Sequence, residues 1–160
     1  MHSWRRIFAA MHSTPTTTHR QLRLVDLENL AGSSVVSLDN ATQVAHRLEE
    51  VLPLGTADLQ AVATAHISGF AAKAAFPGAS VRWRSGKDGA DQALLDYAGQ
   101  LPLTTFDELV VASADGIFAG LIGEAKAAGL SVTLIADTSR TSRRILSLVD
   151  QVIEFPAVAA

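Results

Sequence analysis

The sequence contains no cysteine, and this absence excludes three classes of site. Disulfide bonds, thiolate zinc sites and cysteine nucleophiles all require that residue, so only oxygen and imidazole ligands remain for a metal ion. No apolar run approaches the roughly 20 residues that span a bilayer, and we therefore expect no membrane contact. The formal net charge of -3 excludes a generally basic coat for nucleic acid, so any nucleic-acid contact must be local.

Two nucleotide-binding motifs and a secretory signal are also missing. The chain has no Gly-x-x-x-x-Gly-Lys-Ser/Thr motif and no Gly-x-Gly-x-x-Gly after its first strand, which disfavours nucleotide-cofactor chemistry. The apolar run at residues 7–11 is shorter than the hydrophobic region of a secretory leader, which indicates a cytoplasmic location. Residues 1–19 end in a polar stretch without periodicity and predict a disordered tail, in which Met11 is an alternative start to Met1.

The rest of the chain alternates between strand and helix patterns. With 160 residues and 48% apolar content, it has room for one domain, which we place at residues 20–157. Strands are predicted at 22–25, 59–65, 80–84, 107–112 and 131–136, with an edge strand at 151–155, and helices at 37–52, 69–75, 88–99, 115–128 and 139–148. This alternation predicts an α/β fold, a three-layer α/β/α sandwich with a mainly parallel five- or six-stranded sheet.

Acidic residues follow several of the predicted strands. Asp26, Asp88, Asp115 and Asp137 all lie just beyond strand ends, and Asp91 is one helical turn after Asp88. In a parallel sheet ligands bind at that edge, and converging carboxylates repel one another unless a cation neutralises them. Hard oxygen ligands suit Mg²⁺ or Mn²⁺, so we expect a metal site there if the first and fourth strands are neighbours.

Helix capping is the alternative explanation for these acids. Asp88 and Asp115 precede predicted helices, where an N-cap carboxylate is common. Asp26 differs, because we predict a loop at residues 30–34 after it rather than a helix, and this favours a functional role. For Glu28, exposure to solvent and a functional role are both left open. For Asn29, two roles are equally consistent with the sequence: an Asx turn and the orientation of a metal-bound water.

Basic residues lie near the same predicted edge, at the end of the third strand and the start of the last helix. They would flank the acids with cations that contact phosphates, although solvated surface charge is the default explanation for any one of them. The candidates for substrate binding are Arg84, Lys87, Arg140 and Arg143.

Four segments resemble, in order, those of NYN domains, a branch of the PIN-like nuclease superfamily. They are LRLVDLENLAG, SGKDGADQALLDYA, ELVVASADGIFAGLIGEAKAAGLSVTLIAD and SRTSRRILSLVDQVIEF, and the resemblance covers residues 22–155. It implies a Rossmann-like, PIN-like sheet and a metal-dependent ribonuclease, in which water activated by Mg²⁺ or Mn²⁺ cleaves RNA. Carried over by position, Asp26, Asp91 and Asp115 would be the catalytic metal ligands. Asn29 would lie beside them, and Lys87 would hold phosphate while Asp88 caps its helix.

One departure from the family pattern supports an alternative function. Ile117 stands where the family segment often has a second acid, which favours a non-catalytic RNA-binding or protein-interaction module. A weaker alternative is a phosphohydrolase of the haloacid dehalogenase type, whose Asp-x-Asp loop Asp26-Leu27-Glu28 superficially resembles. RNA is the expected partner; a homodimer is left open, and no antitoxin or other protein partner can be identified from one chain.

Overall fold

The computed structural model describes residues 18–158. Most of the predicted tail, and with it the choice between Met1 and Met11, lies outside the described residues. His19, which we assigned to the tail, contacts Glu108 through Nε2 at 2.9 Å. Contacts with the sheet therefore begin before the predicted domain boundary at residue 20.

Six parallel strands form one sheet, in the order β3-β2-β1-β4-β5-β6. The strands are β1 (Gln21–Asp26), β2 (Leu59–Thr64), β3 (Ser80–Trp83), β4 (Glu108–Ala112), β5 (Ser131–Ala136) and β6 (Gln151–Glu154). Every residue of β1 is buried, as expected of a central strand that is covered on both faces. The predicted edge strand at 151–155 is confirmed as β6.

Helices cover both faces of this sheet. They are α1 (Leu27–Ala31), α2 (Leu38–Val51), α3 (Gly69–Ala75), α4 (Gly89–Gly99), α5 (Ala119–Ala127) and α6 (Arg143–Leu148). The first three helices share one core with Val25 of β1, and the last three share the other core with Leu24. The predicted three-layer α/β/α Rossmann-like sandwich is thus confirmed. Between residues 18 and 158, no helix has the length and hydropathy to cross a membrane.

The strand order reverses between β1 and β4, which are neighbours as expected. Val25 pairs with Ala112 in the parallel register, so the chain leaves both strands side by side at Asp26 and Ser113. In doubly wound sheets the crevice that binds ligands opens at this reversal, beyond the carboxyl ends of the strands. The fold therefore directs attention to the residues that follow β1 and β4.

Three predictions about where the helices begin are wrong. Helix α1 follows Asp26 directly, where we expected a loop, and Asp26 Oδ1 accepts a hydrogen bond from the Asn29 amide at 3.3 Å as its N-cap. Capping thus contributes to the placement of Asp26. The helices predicted at 115–128 and 139–148 begin later, because 3-10 turns at Gly116–Phe118 and Thr138–Arg140 precede α5 and α6.

Candidate functional site

A cavity of about 390 Å³ opens at the carboxyl edge of the sheet, beside the reversal of strand order. Its wall combines several carboxylates with two arginines and the backbone of two loops. The charged and amide side chains that line it are those of Asp26, Glu28, Asn29, Arg84, Asp88, Asp91 and Arg140. We call it the acidic cavity.

Asp26 is buried, lines this cavity and is held by the segments that follow β1 and β4. Its Oδ2 accepts a hydrogen bond from Ser113 Oγ at 3.0 Å, while Oδ1 accepts from the Asn29 amide. Ser113 Oγ also accepts from the Asp115 amide at 3.1 Å. Ser113 is a candidate functional residue that the sequence does not reveal by itself, although its position beside Asp26 follows once β1 and β4 are known to pair.

Asn29 joins α1 to the chain that leaves β4. Its Oδ1 accepts a hydrogen bond from the Ala114 amide at 3.0 Å. Neither of the two expected roles, an Asx turn in its own loop or the orientation of a metal-bound water, describes this contact. Asn29 therefore positions the segment that leads to Asp115, while its side chain also lines the acidic cavity.

The turn between β3 and α4 brings two more acids to the cavity. Gly86 has φ of 100° and Asp88 has φ of 55°, so the chain turns sharply before the helix begins. A Cβ at Gly89 would lie 2.4 Å from the Arg84 carbonyl oxygen, which means that only glycine permits this close approach. The turn therefore carries the start of α4 against the end of β3, with Asp91 in the first helical turn.

The predicted capping role of Asp88 is wrong. Its side chain makes no capping hydrogen bond, because its left-handed backbone replaces the extended conformation that an N-cap residue usually adopts. Instead, one carboxylate oxygen each from Asp88, Asp91 and Asp115 lie within 4.8 Å of one another. We call these three residues, together with Asp26, the acidic cluster.

Burial and mutual repulsion perturb the two innermost acids of the cluster. Asp91 is only 6% exposed, and burial, followed by the charges of Asp26 and Asp115, raises its pKa to about 9. Burial also raises the pKa of Asp26, against the opposing effect of a hydrogen bond with Asp91. At neutral pH, Asp91 therefore holds a proton that it can donate to Asp26.

The residues of the cluster could hold a divalent cation, and Asp91 has an unpaired oxygen that such an ion would compensate. Asp91 Oδ1 is buried and has no hydrogen-bond partner, so an ionised Asp91 would leave a charged oxygen without compensation. Asp88, Asp91 and Asp115 offer three hard oxygen ligands in one place. This donor set matches the preference of Mg²⁺ and Mn²⁺ for carboxylates and retained waters.

Only two of the four basic candidates line the cavity. Arg84 and Arg140 form part of its wall, and Arg84 Nη2 also pairs with Asp96 Oδ2 at 2.8 Å. Lys87 and Arg143 are exposed and lie outside the wall. A substrate-binding role for these two residues stays a prediction.

Two further acids near this edge have structural partners. Glu28 Oε1 accepts hydrogen bonds from Thr64 Oγ1 at 3.0 Å and from the Ala65 amide at 2.5 Å, which ties α1 to the end of β2. This engagement weighs against a role as the second acid of a dehalogenase-type loop. Asp137 Oδ1 accepts from the Ser139 amide at 3.0 Å and caps the turn after β5.

Comparisons with known proteins support this fold and identify no function. No protein-family model matches the sequence, and no curated protein matches it. Among solved structures, the chain is similar to a crystal structure of a protein of unknown function from Vibrio parahaemolyticus RIMD 2210633. The TM-score is 0.60 with 14% sequence identity, over 86% of this chain and 93% of that one. At this identity the similarity establishes the fold alone, so the resemblance to NYN domains stays a proposal.

Proposed function

We propose that this protein is a metal-dependent ribonuclease of the NYN type, which hydrolyses RNA phosphodiester bonds at the acidic cluster. The observation that carries the proposal is the unpaired, buried Oδ1 of Asp91 among three other carboxyl groups. A group of acids that served only as helix caps would not need to bury an oxygen without a partner. Perturbed acids in a cleft at a topological switch point are typical of a catalytic site.

Asp88, Asp91 and Asp115 would hold the Mg²⁺ or Mn²⁺, and Asp26 would support Asp91 through their hydrogen bond. Such an ion, when bound, supplies charge stabilisation to a phosphodiester and lowers the pKa of a nearby water. The protein supplies rigidity. Ser113 fixes Asp26 and the Asp115 amide, and the short turn after β3 fixes the start of α4.

The two arginines of the cavity wall would contact the RNA backbone. A guanidinium donates paired hydrogen bonds to phosphate oxygens, which gives orientation as well as attraction. Arg84 and Arg140 lie in the wall of the same cavity as the acids, so a phosphate between them would be close to the metal ligands. The pairing of Arg84 with Asp96 restrains its side chain before RNA binds.

The test is cleavage of labelled single-stranded and structured RNA in Mn²⁺, Mg²⁺ or EDTA. We expect metal-dependent cutting by the wild type and a loss of more than about 100-fold in Asp26→Asn and in Asp91→Asn, as for other groups that stabilise a transition state. Asp137→Asn is the matched control, because Asp137 also follows a strand but caps its own turn. The proposal fails if the folded wild type cuts no RNA, or if the control loses as much activity.

A non-catalytic module for RNA or protein binding is the second candidate. Ile117, at the position where the resembling family often has an acid, packs against the apolar core on the side of α4 and α5. If the proposal of a ribonuclease is correct, Ile117→Asp should increase Mn²⁺ affinity or the cleavage rate, measured in the same assay. A protein that binds RNA equally well with and without the metal, and cuts none in either form, would favour the module.

A further inference from the structure

Three large apolar side chains are exposed beside the acidic cavity. Phe70 is 81% exposed, Ile67 72% and Trp83 46%. Ile67 and Phe70 are three residues apart, across the 3-10 turn His66–Ser68 and the first turn of α3, and therefore lie on one side of this segment. The Trp83 ring packs on the same helix start, since a Cβ at Gly69 would lie 3.2 Å from it. We call these three side chains the β3-edge platform.

The chain segment that carries this platform has charged residues of one sign only. The chain carries no Asp or Glu from Leu59 to Lys87, although acids outnumber bases in the whole sequence. The same stretch contains Lys73, Arg82, Arg84 and Lys87, all of them exposed. Lys73 follows Phe70 by three residues on α3, which places a cation next to the aromatic ring. An occupant should therefore be anionic and offer flat apolar faces.

A single-stranded nucleic acid has both properties, and a second copy of this chain does not. Bases stack on exposed aromatic side chains while the backbone follows a positively charged surface. A symmetric contact between two copies would bring the platform and its cations against themselves, and the like charges would repel. Duplex RNA keeps its bases stacked on one another and leaves nothing for the platform to hold.

The platform is continuous with the acidic cavity. Ala65 lies two residues before Ile67, and Arg84 directly follows Trp83. Both residues line the cavity wall. His66 Nδ1 lies 2.9 Å from Ser85 Oγ, so the turn before α3 is tied to the turn between β3 and α4, which carries Asp88. A strand with one phosphate in the cavity would thus pass directly over the exposed rings.

We infer that the β3-edge platform stacks bases of single-stranded RNA beside the phosphate held in the acidic cavity. This inference rests on the proposed function for the identity of its ligand. It assigns binding roles to Phe70 and Trp83, which the sequence analysis did not single out, and it gives the site a preference for unpaired RNA. It also gives Lys73, Arg82 and Lys87 the role of attracting the backbone along the edge strand.

The experiment uses Trp83 as its own reporter. The chain has one other tryptophan, Trp4, so the full-length Trp4→Phe variant emits from Trp83 alone. We would titrate it in EDTA with an oligouridylate of about 12 nucleotides, the length that such surfaces bind, and with the matching RNA duplex. We expect the single strand to quench Trp83 emission and the duplex to leave it unchanged, because only an unpaired base can stack on the indole.

Phe70→Ala in the same background should weaken binding of the single strand by about 5- to 150-fold, the range for one lost base stack. The ring is largely exposed, so this change leaves the core intact. Val152→Ala is the matched control, because Val152 is an exposed apolar residue on the opposite edge strand, and it should keep wild-type affinity. Equal affinity of Phe70→Ala and wild type, or equal quenching by duplex and single strand, overturns the inference.

EDTA separates this test from that of the proposed function, since metal-dependent cutting cannot occur in it. Quenching that depends on Phe70, in a protein that cuts no RNA, retains the platform and rejects the ribonuclease. Cutting that Phe70→Ala leaves unchanged, with no quenching, rejects the platform and retains the ribonuclease. Dimers that Phe70→Ala dissociates, measured by sedimentation without RNA, would overturn the inference in favour of contact between copies.

Discussion

The proton on Asp91 makes the metal-free protein lose stability as the pH rises. The pKa of Asp91 is about 9 in the folded chain, against an ordinary value of 3.8. Between these two values the folded state binds about one proton more than the unfolded state, so the free energy of unfolding falls with increasing pH. The slope is about 1.4 kcal/mol per pH unit, or at most about 3 kcal/mol from pH 6 to pH 8.

The perturbation that isolates this effect is Asp91→Asn. Asparagine has nearly the same shape, can still donate a hydrogen bond to Asp26 and has no proton to lose. We expect the variant to be more stable than the wild type in EDTA. Its advantage should grow from pH 6 to pH 8 by at most about 3 kcal/mol, or by about 6 to 12 °C in melting temperature for a chain of this size.

The assay is thermal unfolding followed by circular dichroism at several pH values in EDTA. A hydrogen bond with Glu108 raises the pKa of His19, which also favours folding at low pH, but it does so equally in both proteins. Glu124→Gln, at an exposed position on α5, controls for the loss of one acid and should keep the wild-type slope. Excess Mn²⁺ at pH 8 should stabilise the wild type and not Asp91→Asn. A wild type and Asp91→Asn variant with the same pH dependence would refute the reasoning.

Two further predictions concern the scaffold of the cavity. Asn29→Ala leaves the Ala114 amide without its acceptor, and we expect a loss of about 1–3 kcal/mol in the free energy of unfolding, measured by urea denaturation. Gly89→Ala would place a methyl group 2.4 Å from the Arg84 carbonyl oxygen and should cost about 1–3 kcal/mol in the same measurement. Gly120→Ala, on α5 where a Cβ meets nothing within 4 Å, should stabilise the protein by up to about 1 kcal/mol. A Gly89→Ala variant as stable as Gly120→Ala would contradict the close approach.

The fold could be predicted because short apolar runs typical of strands alternate with segments of helical periodicity. Few chain topologies are compatible with such an alternation. What the periodicity does not indicate is how a polar residue inside a strand is satisfied. Arg23 lies within β1, is almost fully buried, and donates to the Leu52 carbonyl at the end of α2 and to Gln60 Oε1 at 3.4 Å. These partners are distant in sequence, so the contact depends on packing that one sequence does not reveal.

The site was predictable to the extent that strand ends define it. The register of β1 and β4 brings Asp26 beside Ser113, two residues before Asp115, as the rule of parallel sheets suggests. Asp88 joins the acidic cluster instead of capping its helix, and Asp26 caps a helix that was not expected. Neither role was predictable from spacing. It depends on the positive φ of Asp88, and the glycines at 86 and 89 indicate a tight turn without indicating which residue in it turns.

The structural role of Asp26 does not conflict with the function proposed for the acids. One carboxylate oxygen caps α1, and the other accepts a bond from Ser113, so hydrogen bonds hold the side chain in a buried position that otherwise disfavours its charge. Asp91 is less well supported, because one of its buried oxygens is unpaired, and its raised pKa means that it keeps a proton at neutral pH. A cation that binds there must displace this proton, so its affinity should increase by up to tenfold per pH unit below about pH 9. In the proposed function, the rigid support of Asp26 would thus let the cluster exchange a proton for a metal ion.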